Sequence, residues 1–510
     1  MWRSGLLRRL GHLIGVAESS QRRDIPALNR REFLAAAAGA VFPLRARAAA
    51  PAVDVGIVGA GLAGLSCADQ LKKSGVLATL YDAAGRTGGR CWSLRGLFPG
   101  QVAERGGEFI DNPHKTMIAY AREFGVGLEN VVKQPGEARY FFGGQFFPES
   151  VVVEEYRDLV AAMQADLRGL SGEITAASHT PQDARLDNTN LLEYLDTRGA
   201  GRVIRAALIA AYTAEYGLAP DEQSCLNFLL FAHADRRSKF RPFGIFSDER
   251  YHVIGGNDAI VAGLTARLNA RIRLGQRLVK AGKTSSGRME LTFRQGNRTV
   301  TAAHDAVVLT LPFTVLRGIE LEPNLGLPPA KVLAIQRLGY GTNAKMMVGF
   351  GSRPWFDRHG SNGVSDSDLP NHQSTWETNP AAATSAHAIL TDYSGAQRGA
   401  ALNPAKPQVE AARFLADLDR VYPGALAAAT RDARGNFTVH LEHWPSNPMA
   451  LGSYTCYRPG QFTTIAGNEG TPAGSLFFAG EHADSFYSSQ GFMEGACLSG
   501  IAAANAILSR

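Results

Sequence analysis

Cysteine is scarce in this chain. Five residues in 510, Cys67, Cys91, Cys225, Cys456 and Cys497, are scattered and form no Cys-x-x-Cys pair. That argues against a disulfide framework and leaves no zinc-ligand spacing, so each reads as an isolated small core residue and no metal is expected. Long hydrophobic runs are also missing. No stretch approaches the ~20 apolar residues that span a bilayer. No internal repeat appears. Charge of one sign is the remaining absence. Residues 1–48 carry nine arginines and three acids, and the rest of the chain balances at 44 basic against 44 acidic residues. The formal charge of +6 is therefore confined to one end, which argues against a nucleic-acid surface. What is plentiful is glycine, 55 residues, which points to tight turns and close backbone approaches. A chain this long exceeds one compact core, and two domains are expected.

Arg30-Arg31-Glu32-Phe33-Leu34 is a twin-arginine pair followed by a hydrophobic pair. An Ala-rich run to Phe42 and the small residues of Ala46-Arg47-Ala48 complete the order of n-region, h-region and cleavage site. Residues 1–48 are thus expected to be a twin-arginine signal peptide. The mature chain would begin near Ala49 and be exported, to the periplasm or beyond.

The chemistry begins just after. Val53–Val58 reads as a buried strand that runs into Gly59-Ala60-Gly61-Leu62-Ala63-Gly64. Leu65, Ala68 and Leu71 then share one helix face. A second strand, Ala78–Tyr81, ends at Asp82, 23 residues after Gly59. Strand, glycine loop, helix, strand and acid together form a dinucleotide-binding unit. Gly59 permits the turn, Ala60 and Gly61 carry the loop past the pyrophosphate, and Gly64 lets the helix pack on the strand. The helix N-terminus offers N–H groups to phosphate, and Asp82 suits a ribose hydroxyl. This unit alone does not choose between NAD and FAD.

Gly85-Arg86-Thr87-Gly88-Gly89-Arg90 suits a loop around a longer, bent dinucleotide, with Arg86 and Arg90 as forked donors to phosphate. With this loop and Glu104-Arg105-Gly106-Gly107-Glu108-Phe109, the chain resembles the flavin-containing amine oxidase family of monoamine, polyamine and L-amino-acid oxidases. The resemblance continues through Ile254-Gly255-Gly256-Asn257, which opens a helix through Leu264 and Leu268. It takes in strands near Arg271–Leu278 and Arg288–Phe293, and a buried strand Ala306–Leu311 ended by Pro312. Trp444-Pro445, Leu451-Gly452-Ser453-Tyr454, Leu476–His482 and Gly491–Ala496 complete it.

The resemblance implies an α/β fold, α+β overall. A Rossmann-like FAD-binding domain would be assembled from the discontinuous segments 51–112, 250–320 and 440–510, with an inserted substrate domain from 113–249 and 321–439. FAD would lie on the glycine loop and on Gly89, Gly107 and Trp444, with adenine against the backbone of Leu278. A buried strand would deliver Gly480 and Glu481 to the cofactor. The last helix, running to about Ile507, would aim its N-terminus and the Met493 N–H at the pyrimidine edge of the flavin. Several relatives carry a flavin-bonding Cys where this chain has Ser453, so the FAD is expected to be non-covalent, with Cys456 pointing elsewhere. In the insert, Val153, Tyr156, Val160, Met163 and Leu167 recur at helical spacing, a core-facing stripe. Asn190-x-x-Glu193 caps a short helix. Arg236-Arg237-Ser238-Lys239 reads as a basic, solvated loop.

The same resemblance implies oxidation of an amine or amino acid by hydride transfer to the flavin. The product would be an imine that hydrolyses, and molecular oxygen would take the electrons as hydrogen peroxide. The cofactor supplies the redox chemistry, and the protein positions and desolvates the amine. Lys345, at the start of the strand Met346–Phe350, matches the family lysine that holds a water near the flavin N5, and is expected to serve the redox steps and not the fold. Tyr454 and Phe492 match the two rings that frame the substrate, with Phe492 lacking the more usual hydroxyl. Glu108, with Asp111, stands in the turn where the amino-acid oxidases often carry a carboxylate-binding Arg. That favours a cationic amine or polyamine, although Arg236, Arg237 or Arg241 would suit an amino acid. An L-amino-acid oxidase, an FAD-dependent desaturase or porphyrin-type oxidase, and a non-catalytic FAD-stabilised binding protein remain as alternatives. A homodimer stays open, and no membrane partner is expected.

Overall fold

Short runs of β-branched and aromatic residues build a five-stranded parallel sheet. Its order is Leu476–Phe478, Ala306–Leu309, Val55–Val58, Thr79–Tyr81, Ile272–Arg273. The computed structural model of the chain describes residues 53–237, 248–384, 386–484 and 489–510. The expected signal segment 1–48, Ser238, Lys239 and Arg241, and the side chains of Arg236 and Arg237 lie outside the described residues.

The period of two along each strand divides the sheet's neighbours. Val55, Ile57, Leu80, Val308 and Phe477 pack with the helices Leu62–Lys73, Asp258–Leu268 and Met493–Leu508. Tyr81, Val307, Leu309, Leu476 and Phe478 turn to the other core, shared with an antiparallel layer of Arg298–His304, Met289–Gln295 and Arg277–Lys283. The first and last helices approach closely through small residues. A Cβ on Gly500 would come within 2.1 Å of the Ala63 carbonyl oxygen.

A seven-stranded sheet forms the second body. Its order is Val439–His443, Ala344–Phe350, Ala388–Ser394, Ser374–Glu377, Ser361–Ser367, Glu137–Phe142, Gln145–Phe147. The helices Glu149–Gly169 and Arg202–Tyr216 share the core of the antiparallel layer with Tyr140, Trp376 and Tyr393, while Pro407–Val421 packs in a separate core with Met346, Val348 and Leu390. Among the described residues, no helix is long and apolar enough to cross a membrane. All five cysteines are buried and free.

Several expectations shift in detail. The strand expected over 271–278 is two: Gly275, at φ +72°, breaks it, and 272–273 joins the parallel sheet while 277–283 joins the antiparallel one. In the insert's long helix Val152 and Leu159 are buried and Val153 is only half-buried, so the stripe sits slightly rotated around Tyr156, Val160, Met163 and Leu167. The helix Lys115–Glu123, beyond the expected boundary at 112, buries Met117, Tyr120 and Ala121 in the core of the parallel sheet's helices. Asn190 does cap Leu191–Thr197, accepting from the Glu193 N–H at 2.9 Å.

Candidate active site

A cavity of about 510 Å³ opens where the parallel sheet meets the seven-stranded one. The glycine loop forms part of its wall. Gly59 takes φ +108°, and its N–H donates to the Tyr81 carbonyl at 2.7 Å. Gly64 touches the loop itself: a Cβ there would lie 1.9 Å from the Gly59 carbonyl oxygen. Gly61 faces Gly89 across the loop, and a Cβ on Gly89 would meet the Gly61 Cα at 3.3 Å. Asp82 is held in place by two backbone donors, Ala60 at 2.7 Å and Ala84 at 2.8 Å. Burial raises its carboxyl above the usual range, and those two N–H groups oppose the shift. Gly59, Gly61, Asp82, Arg86, Gly89, Arg90, Gly107, Leu278, Trp444, Gly480, Glu481 and Met493 all line the cavity; Ala60 and Gly64 shape the loop from behind.

The two arginines differ from expectation. Arg86 donates to the Thr87 carbonyl at 3.0 Å and the Gly89 carbonyl at 2.7 Å, and its guanidinium lies 3.7 Å from the Trp92 ring centre. Arg90 donates to the Ser453 carbonyl at 2.6 Å and to Glu481 Oε1 at 2.9 Å. Arg86 spends both terminal nitrogens on the loop's own carbonyls, whereas Arg90 spends only Nη1; both brace the loop, through backbone carbonyls that motif reading does not reveal. Glu481 in turn accepts from the Thr455 hydroxyl at 3.0 Å. The C-terminal helix begins at Met493 with no side-chain cap, so its first-turn N–H groups remain for whatever fills the cavity. Bare glycine backbone, an oriented carboxylate and two uncapped helix N-termini are the donor set a dinucleotide needs, and FAD fits these residues.

Tyr454 and Phe492 both line the cavity, and sequence reasoning missed a third ring, Tyr393. The Tyr393 and Tyr454 hydroxyls lie 3.1 Å apart, and the Tyr454 hydroxyl donates to the Glu215 carbonyl. Phe492 packs edge-on against His114 at 5.0 Å. Ser453, also on the wall, donates to Asn343 Oδ1 at 2.5 Å. Cys456 is buried off the wall beside Asn227. No pattern in the sequence marks Tyr393, because its strand Ala388–Ser394 is buried along its whole length.

Lys345 and Glu108 meet, but not on the cavity wall. Lys345 Nζ donates to Glu108 Oε2 and to the Glu104 carbonyl. Glu108 Oε1 accepts from the Trp376 indole at 3.1 Å. Both side chains are buried. Burial pulls the Lys345 ammonium down to about 8, with Glu108 opposing, and burial pushes Glu104 up to about 7. The expected substrate role of Glu108 is therefore corrected: a buried ammonium requires a counter-ion, and Glu108 is that counter-ion. Asp111 likewise turns inward, with Oδ1 accepting from the Glu249 N–H at 2.6 Å. Among the described residues, no group of three His, Cys, Asp or Glu side chains is placed to hold a metal.

Parallel sheet, glycine loop, ribose-oriented acid and a long cavity closed by a helix N-terminus define a dinucleotide-binding protein. The sequence pattern of the flavin containing amine oxidoreductases matches residues 62–508, and the chain belongs to that family. It is accordingly a flavin-dependent amine oxidoreductase. An L-amino-acid oxidase of Siganus canaliculatus is 24% identical over 443 residues, covering 84% of this chain and 80% of that protein. A flavin-containing amine oxidase of Danio rerio is 25% identical over 481 residues, covering 90% and 86%. Among solved structures, cyclohexylamine oxidase from Brevibacterium oxydans superposes with a TM-score of 0.74 at 22% identity, over 90% of this chain and all of that one. Putrescine oxidase bound to putrescine gives 0.72 at 19%, again over 90% and 100%. At those identities the structures establish the shared fold.

Proposed function

We propose that this enzyme oxidises a small amine that bears no carboxylate beside its reacting C–N unit. FAD, when bound, accepts the two electrons. Gly59, Gly61, Asp82, Leu278 and the N-terminus of the last helix would hold that cofactor. Tyr393, Tyr454 and Phe492 wall the substrate end and exclude water, which favours guiding an amine between rings. Lys345 places a cation behind that wall.

One observation carries the substrate class. Among the described residues, which leave out Arg241 and the side chains of Arg236 and Arg237, the cationic side chains on the wall are Arg86, Arg90 and Arg277, and Arg90, the one beside the rings, is already paired with Glu481. Arg86 donates from both terminal nitrogens to loop carbonyls, Arg90 donates from Nη1 to the Ser453 carbonyl and Glu481, and Arg277 lies against Met449. The two solved relatives named for simple amines accord with this reading. The opposing reading, an L-amino acid, draws on the names of the sequence relatives. Anaerobic mixing with cyclohexylamine, putrescine, L-leucine and L-phenylalanine separates them. Amines should bleach the flavin at least about tenfold faster, ~1.4 kcal/mol of barrier. Faster bleaching by either amino acid overturns the assignment.

Oxygen is proposed as the acceptor, to be read as peroxide formed per amine consumed. FAD is proposed to be non-covalent because Ser453 offers no thiol, and acid precipitation should release all the colour. Export by the twin-arginine route is proposed from Arg30-Arg31. Changing both to Lys should hold the precursor inside the cell, and unchanged export would defeat the idea.

A further inference from the structure

Three separate elements converge on one buried carboxylate. Glu108 follows Gly107, whose backbone lines the FAD cavity. Lys345 comes from the strand Ala344–Phe350, where it pairs in register with the cavity-lining Tyr393. Trp376 comes from Ser374–Glu377, and its indole fixes the Glu108 oxygen that Lys345 does not use. The Trp376 ring is itself wedged between Tyr393 at 5.6 Å and Phe109 at 5.9 Å.

We propose that Glu108 is a positioning residue, whose clamped carboxylate keeps Lys345 a fixed cation behind the wall of the FAD cavity. An ammonium in a dry site gives up its proton unless a counter-ion stands against it. The groups facing Lys345 are Glu108, Glu104, Glu442 and, across the strand pair, Tyr393; Glu442 is bound in turn by Arg105. Of these carboxylates only Glu108 touches the ammonium, since Glu104 offers its backbone carbonyl. The Glu104 carboxylate is turned to Ser93 and the Asn257 N–H. The inference rests on the proposed function only in placing Lys345 beside the bound flavin.

The test uses holoenzyme without substrate. The flavin absorbance of the parent, Glu108→Gln, Glu108→Asp and Lys345→Met is titrated over about pH 6 to 10, where a lysine of lowered affinity for its proton titrates. The FAD-free proteins are melted over the same range. The parent's break should move acidward by at least about one pH unit in Glu108→Gln, a tenfold change in the acid constant. It should return toward the parent position in Glu108→Asp and vanish in Lys345→Met. The pH dependence of the FAD-free melting temperature should keep this component, moved acidward, in Glu108→Gln and lose it in Lys345→Met. An unmoved break in Glu108→Gln overturns the proposal, as does a break that survives in Lys345→Met or is absent from the parent. Should Glu108→Gln fail to fold, Trp376→Phe removes the clamp and must shift the break acidward, or the proposal fails. None of these readings uses an amine. A flavin that no amine bleaches would defeat the proposed function and leave this inference standing.

Discussion

Lys345 carries a structural debt that its position in the sequence hides. Read from the chain alone, it serves redox steps and spares the fold. In the structure it is the counter-ion of Glu108, and both are buried. Lys345→Met therefore strands a carboxylate in a dry site, and the loss should be about 3–5 kcal/mol of folding free energy. Lys345→Met/Glu108→Gln should recover most of it, because no unpaired charge remains. Urea unfolding of the FAD-free proteins measures both. A single variant within about 1 kcal/mol of the parent would mean that water or another group reaches Glu108. Flavin reduction or reoxidation in Lys345→Met should also slow at least about tenfold, and the double variant tells the lost cation from the stranded anion.

Among the elements, the strand–loop–helix unit around Gly59 was the most legible, because Gly59 and Gly64 answer steric demands that no other residue meets. Gly64→Ala would drive a Cβ into the Gly59 carbonyl at 1.9 Å, and backbone cannot swing aside. Gly85, in the next loop, has no atom within 4 Å of such a Cβ. Gly64→Ala should cost about 3 kcal/mol, the upper end for overpacking, and weaken FAD binding at least tenfold, whereas Gly85→Ala should leave both unchanged. Flavin fluorescence quenching on reconstitution reads the affinity, and equal behaviour of the two variants would defeat the argument. The same logic marks where reading stopped. Gly275 splits a strand that looked continuous, because a left-handed turn leaves no trace in hydrophobic pattern. Arg86 and Arg90 were recognised as belonging to the cofactor loop, but their partners are backbone carbonyls and Glu481, hundreds of residues away for Arg90. Glu108 sat in the right turn for a substrate contact and faces the other way. Tyr393 was invisible, since its strand finds the cavity only through tertiary pairing.

At the level of the whole molecule, two buried lysine–glutamate neighbourhoods set a pH signature. Burial raises Glu104 and Glu469 from 4.5 to about 7 and lowers Lys345 and Lys331 from 10.5 to about 8 and about 7. Each acid keeps its proton longer in the folded chain, so its contribution is full below about 4.5 and is lost as the pH rises to about 7. Each lysine sheds its proton earlier in the folded chain, so its contribution is full above about 10.5 and is lost as the pH falls to about 7 or 8. Taken alone, these four groups contribute least to the stability of the FAD-free protein near neutral pH. Denaturant midpoints across the range should show it, and Glu104→Gln/Glu469→Gln should flatten the acid limb; an unaltered limb would sink the idea. The close seat of Gly500 on Ala63 has a consequence in time. The cradle's first half, the loop at Gly59–Gly64, leaves the ribosome about 430 residues before its second half, the helix that starts at Met493. At ~5–20 residues per second that is a wait of roughly 20 to 90 s. During that interval the Ala63 face of the first helix has no lid. A synthesis halted anywhere short of the last helix yields half a cradle, so cofactor capture is an act of the finished chain.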